Sequence, residues 1–135
     1  MIHVSLAEAL ETLTLLADWE QRFGYVVELA DELSSMPEAQ KTEDNRVRGC
    51  TSQVWMTHSW DAEGRLNLGL DSDAVLVRGL LALVWLAYHR KTKAEAAALN
   101  LPVLLEPTGL LAHLSPNRRS GLASVVGALQ ALVAE

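Results

Sequence analysis

The chain has 135 residues and a single cysteine, Cys50. A lone cysteine excludes an internal disulfide and a multi-cysteine metal cage, and it accords with a reducing compartment. Proline and glycine are sparse, at four and eight residues, which excludes a linker-rich or fibrous chain. Basic residues are in the minority: 11 Lys and Arg against 17 Asp and Glu leave a net charge of −6. Nucleic-acid binding calls for a basic face, so no nucleic-acid partner is expected. The longest wholly apolar run, Leu80 to Tyr88, is well short of the roughly 20 residues that cross a bilayer. The N-terminus lacks a basic segment followed by an apolar stretch and a small-residue cleavage site. No membrane partner and a cytoplasmic location are therefore expected.

Half of the residues are apolar and 21% are charged, which suits a single domain over 1–135 with its own core. Leu6, Leu10, Leu13 and Ala17 recur at helical spacing, with Ser5 and Glu8 as a capping box. A second stripe at Trp19, Phe23, Val26, Ala30 and Leu33 completes two helices over about 6–34, stopped by Ser34, Ser35 and Pro37. The polar stretch from Pro37 to Asn45 reads as a loop. Ser52 to Trp60 has strand character, Asp61-Ala62-Glu63-Gly64 is a turn signal, and Leu66, Leu68 and Leu70 alternate with polar or small residues. This predicts an antiparallel hairpin, with Arg46-Val47 as a third strand and Gly49-Cys50-Thr51 as the turn that joins it. Asp71-Ser72-Asp73 reads as the cap of a long apolar helix ending near Tyr88. Thr92 caps a short helix to Leu99, 101–114 reads as irregular, and a last helix follows Ser115-Pro116. Gly121 and Gly127 interrupt that helix at about 1 kcal/mol each, a cost tolerated if another element packs closely there. The fold class is α+β: a small antiparallel sheet of about three strands against helices.

Two readings of Cys50 are open on the residues alone. It is either a small buried hydrophobe or a reactive thiol. A free thiol is roughly 3% ionised at pH 7. Arg46 and Arg48 raise that fraction, and Gly49 removes bulk beside the sulfur and tolerates a positive φ. His58 and His113 lie in no metal-binding spacing, so no bound metal is expected.

The segment Arg46-Val47-Arg48-Gly49-Cys50-Thr51-Ser52-Gln53-Val54-Trp55 closely resembles the signature of the SufE family, sulfur acceptors of bacterial iron–sulfur cluster assembly. Three further blocks resemble the family in the same order: Asp18-Trp19-Glu20 with Phe23 and Glu28-Leu29, Asp71-Ser72-Asp73-Ala74 with Val77-Arg78-Gly79-Leu80, and His113-Leu114-Ser115-Pro116-Asn117-Arg118 with Gly121-Leu122. The resemblance implies a fold shared with IscU-type scaffold proteins, whose several cluster-binding cysteines this chain lacks. It implies that Cys50 accepts persulfide sulfur from a cysteine desulfurase of SufS or CsdA type and relays it toward an iron–sulfur scaffold. The chain is then a sulfur-transfer accessory protein, and pyridoxal phosphate belongs to the partner; no cofactor is expected on this chain.

In that frame Arg118 matches the family's C-terminal arginine and stabilises charge on Cys50. Arg46, Arg48, Gly49, Gln53, Asp73 and Arg119 serve partner binding or loop positioning. Arg119 stands where the family usually has a small polar residue, and 104–107 lacks the phenylalanine and lysine common there. The alternatives are a regulatory partner of the desulfurase that carries no sulfur, and a peroxide-reducing thiol protein. Monomer and homodimer are both open.

Overall fold

The computed structural model describes residues 2–134. Two helices come first, α1 (Leu6–Leu15) and α2 (Trp19–Glu32), each started by a side chain that satisfies an otherwise orphaned backbone N–H. Ser5 and Glu8 form the reciprocal capping box, and Asp18 Oδ1 accepts the Gln21 N–H at 2.8 Å. Two single 3-10 turns at 38–40 and 43–45 lead into β1 (Val54–Trp60) and β2 (Leu66–Ser72). The strands pair antiparallel with Val54 opposite Ser72 and Trp60 opposite Leu66. The long helix α3 (Val75–Tyr88) follows, then α4 (Lys93–Ala97), α5 (Leu101–Leu105) and the C-terminal α6 (Pro116–Val133). Helices packed on one small antiparallel sheet make this an α+β domain.

Three expectations need correction. The sheet among the described residues has two strands, because Arg46-Val47 contributes one isolated bridge, Arg46 opposite Trp55, and one bond, Val47 N–H to the Val54 carbonyl at 2.9 Å. Residues 101–105 are helical: Asn100 caps the turn by accepting the Val103 N–H, and Pro102 sits in the first turn, where a proline costs no hydrogen bond. Asp71-Ser72-Asp73 does not cap α3. Its first two residues end β2, and α3 starts from Ala74 with no side-chain cap.

Helix α3 is the centre of the core, with Leu80 through Val84, Ala87 and Tyr88 all buried. Gly79 lets it approach α2 closely: a Cβ there would overlap the backbone carbonyl and Cγ1 of Val26. Gly79→Ala gains helix propensity but forces the two helices apart, so a net loss of about 2 kcal/mol in unfolding free energy is expected, read by urea denaturation. A Cβ at Gly127 would meet nothing within 4 Å, so no close packing accounts for that glycine.

The open edge of β2 is closed by the exit of α3. Leu66 donates to the Lys91 carbonyl at 2.9 Å and accepts from the Arg90 N–H at 2.7 Å, which Arg90 reaches through a left-handed φ of 67°. Leu68 is bonded by side chains: its N–H donates to His89 Nδ1 at 3.2 Å, and its carbonyl accepts from Trp85 Nε1 at 2.8 Å. The Trp85 and His89 rings stack, 4.1 Å apart. His89 must be neutral at Nδ1 to accept that bond, and burial, then Arg90 and Lys91, hold its pKa below the usual histidine value. The unfolded chain therefore binds the proton more readily. The stabilisation is present above the ordinary histidine pKa and is lost as pH falls through and below it. Thermal melts should show a Tm that falls from about pH 7.5 to 5.5, and His89→Phe should flatten that dependence while lowering the Tm at the upper end.

Candidate functional site

Cys50 sits at the tip of a tight loop. The pairing of Val47 with Val54 closes the loop's base, so residues 48–53 must turn within it. Gly49 makes the turn with φ of 89°, and a Cβ there would lie 2.5 Å from Ser124 Oγ on α6. The backbone angle is what calls for glycine here; a Cβ would also force the Ser124 hydroxyl to turn aside.

The end of β2 pins the other arm of the loop. Asp73 Oδ1 accepts the Gln53 N–H at 3.1 Å, and the Gln53 carbonyl accepts from Ser72 Oγ at 2.7 Å and from the Asp73 N–H at 3.4 Å. The Asp73 carboxylate, expected as a helix cap, is the anchor of the cysteine loop.

The loop lays Cys50 against α6, half-buried. Its Sγ lies 3.6 Å from the Gly121 carbonyl oxygen and donates to it, and Gly121 has no side chain between them. Around the sulfur is a cavity of about 200 Å³, walled by Val54, Val77, Leu80, Leu81, Leu122 and Val125, with Ser115, Asn117 and Arg118 at the start of α6. Burial pushes the thiol's pKa up, and the Arg46 guanidinium opposes this. A carbonyl oxygen facing the sulfur also favours S–H over S⁻. The tucked cysteine is a protected thiol rather than a standing thiolate.

The other anticipated residues divide. Arg118 lines the cysteine cavity. Arg46 and Arg48 lie beside the loop, both paired with the exposed Glu43 at 3.5 Å and 3.3 Å. Arg119 is not brought to Cys50; one residue further round α6, it lines a different cavity. His58 is exposed on β1, and His113 stacks on Trp19 with ring centres 3.5 Å apart. Among the described residues no three of His, Cys, Asp and Glu converge.

Sequence reasoning missed one cluster altogether. Buried Asp71 accepts the N–H groups of Met36 at 2.9 Å and Ser72 at 2.8 Å, and it faces Arg78 Nε at 3.0 Å and Lys41 Nζ at 3.6 Å. Arg78 also donates to the Leu33 carbonyl at 2.7 Å. The cluster ties the end of α2, the following loop, β2 and α3 together behind the Gln53 anchor.

Fold and site together define a class: an α+β domain that presents one cysteine on a loop over an apolar cavity. The sequence pattern described as SufE, Fe-S metabolism associated domain, matches residues 7–133. The chain belongs to the SufE family, whose role is sulfur transfer in iron–sulfur assembly. The fold also recurs in the solution structure of a hypothetical protein from Thermus thermophilus, with a TM-score of 0.77 over 96% of this chain and 93% of that one, at 23% identity.

Proposed function

We propose that Cys50 is the residue that carries the sulfur, as a persulfide taken from a cysteine desulfurase of SufS or CsdA type. The observation that carries this reading is the placement of the chain's one thiol at a loop tip, with its sulfur in an apolar cavity. In the transfer, the Cys50 thiolate attacks the outer sulfur of the donor's persulfide. A new S–S bond forms at Cys50, the donor's S–S bond breaks, and the donor cysteine leaves as thiolate. No external oxidant or reductant is needed.

The half-buried thiol is a poor nucleophile as it rests, so the reading requires the loop to swing out on contact with the donor. Arg46 and Arg48, which flank the loop, are the cations available to the released thiolate, and Arg118 lines the cavity it leaves. Retraction then shields the persulfide from small thiols and oxidants. The Gln53 anchor supplies a fixed pivot. The downstream acceptor is an iron–sulfur scaffold.

Incubated with an active desulfurase and cysteine, the protein should acquire sulfane sulfur in a one-to-one ratio, measured by cyanolysis after separation. A protein that gains none while the desulfurase turns over contradicts the proposal. In the same mixture Cys50 should alkylate faster than in the protein alone; equal rates contradict the loop movement.

A further inference from the structure

Next to the cysteine cavity on α6, a second cavity of about 230 Å³ opens between α5 and α6. Leu101, Leu105, Leu111, Leu122 and Val126 make its wall apolar, and Arg119 is the one charged side chain on it. Leu122 also lines the cysteine cavity, so the two hollows share a wall. On the outer face of α5, Val103 and Leu104 are 53% and 39% exposed.

Two adjacent cations stand here with neither an acidic partner nor a carbonyl to hold them; Lys91, at the far end of α3, is the other such cation among the described residues. Arg22 is held by backbone carbonyls, and Arg46, Arg48, Arg65, Arg78 and Arg90 each face a carboxylate. The side chains of Arg118 and Arg119 have no acidic partner among the described residues. Two uncompensated cations on a chain of net charge −6, beside an open apolar hollow, present a local surface opposite in sign to the whole.

Building on the carrier reading of Cys50, we infer that this second cavity is a docking socket for the sulfur donor: it receives an apolar side chain of the donor's surface, and a neighbouring donor carboxylate pairs with Arg119. A donor whose persulfide must reach Cys50 covers this ground, because one side chain separates the two cavities. The surface stands on α6, a rigid element, so the socket aligns the donor while the cysteine loop moves. An anchor in a pocket beside a charged pair is the arrangement that concentrates binding energy at protein interfaces.

Two variants test this without touching the cysteine site: Arg119→Glu, which reverses the charge, and Ala123→Trp, which fills the hollow from an exposed position on α6. Desulfurase stimulation is titrated against each, with circular dichroism and thermal melting as folding controls. The half-saturating concentration should rise about tenfold or more in both, with the plateau rate unchanged. Wild-type half-saturation, or a lowered plateau at unchanged half-saturation, overturns the socket. So does a wild-type dimer in sedimentation equilibrium that both variants dissolve, because a second copy is then the occupant. Failure of the carrier reading is distinct: it appears as no sulfur on the wild-type protein at any concentration.

Discussion

Cys50→Ser reduces stimulation of the desulfurase to the level of the desulfurase alone. The substitution exchanges one atom. A serine hydroxyl fits where the thiol lies against the Gly121 carbonyl and can donate to it, so the loop stays docked and the fold unchanged. What is lost is the nucleophile: an alcohol is a far weaker acid than a thiol and forms no persulfide. If stimulation comes from removal of the donor's sulfur, nothing remains to remove it. The outcome is read from sulfide or alanine production at saturating protein. A Cys50→Ser protein that still stimulates supports the regulatory alternative, in which this surface acts by binding and the cysteine is incidental.

The second large effect is on stability. Asp71→Leu leaves Arg78 facing no carboxylate, orphans the Met36 N–H, and removes the anion beneath Lys41. Breaking one side of a buried ion pair costs about 3 kcal/mol or more, because the remaining charge stays out of water without compensation. The exposure of Arg78 and Lys41, at 21% and 22% of their side chains, keeps the expectation at the lower end. Denaturant unfolding measures the loss. The double variant Asp71→Leu with Arg78→Met should recover part of it, since two apolar side chains replace an ion pair better than one isolated charge does. A double variant as unstable as the sum of the two singles indicates that each residue acts apart.

How much of this was legible in the sequence depended on the distance between signal and partner. Ser5 with Glu8, Thr92, and Ser115 before Pro116 satisfy backbone groups within four residues, and each caps the helix it precedes; Asp18 and Glu95 satisfy such groups as well and went unread. The hairpin followed from the alternation of Leu66, Leu68 and Leu70, all of which are buried. Asp71-Ser72-Asp73 was ambiguous because acidic and hydroxyl residues suit a helix start and a strand end alike. Only Arg78, Lys41 and Gln53, distant in sequence and brought close by the fold, determine what those side chains hold. Pro102, Pro107 and Gly109 make 101–114 look irregular, although a proline in the first turn of a helix, where Pro102 sits, is favourable. For the site, Gly49 and Cys50 stood out locally. The ring of Val77, Leu80, Leu122 and Val125 read only as helix faces, because their convergence on Cys50 is set by how α3 crosses α6. Ser124, which Gly49 must clear, carried no signal at all.

The central claim is that the sulfur travels on Cys50. The direct measurement is the intact mass of the protein after incubation with an active desulfurase and cysteine, followed by peptide mapping without reductant. The mass should increase by one sulfur atom, the addition should map to the peptide containing Cys50, and Cys50→Ser should show none. An unmodified wild-type protein, or the same addition on the serine variant, contradicts the account.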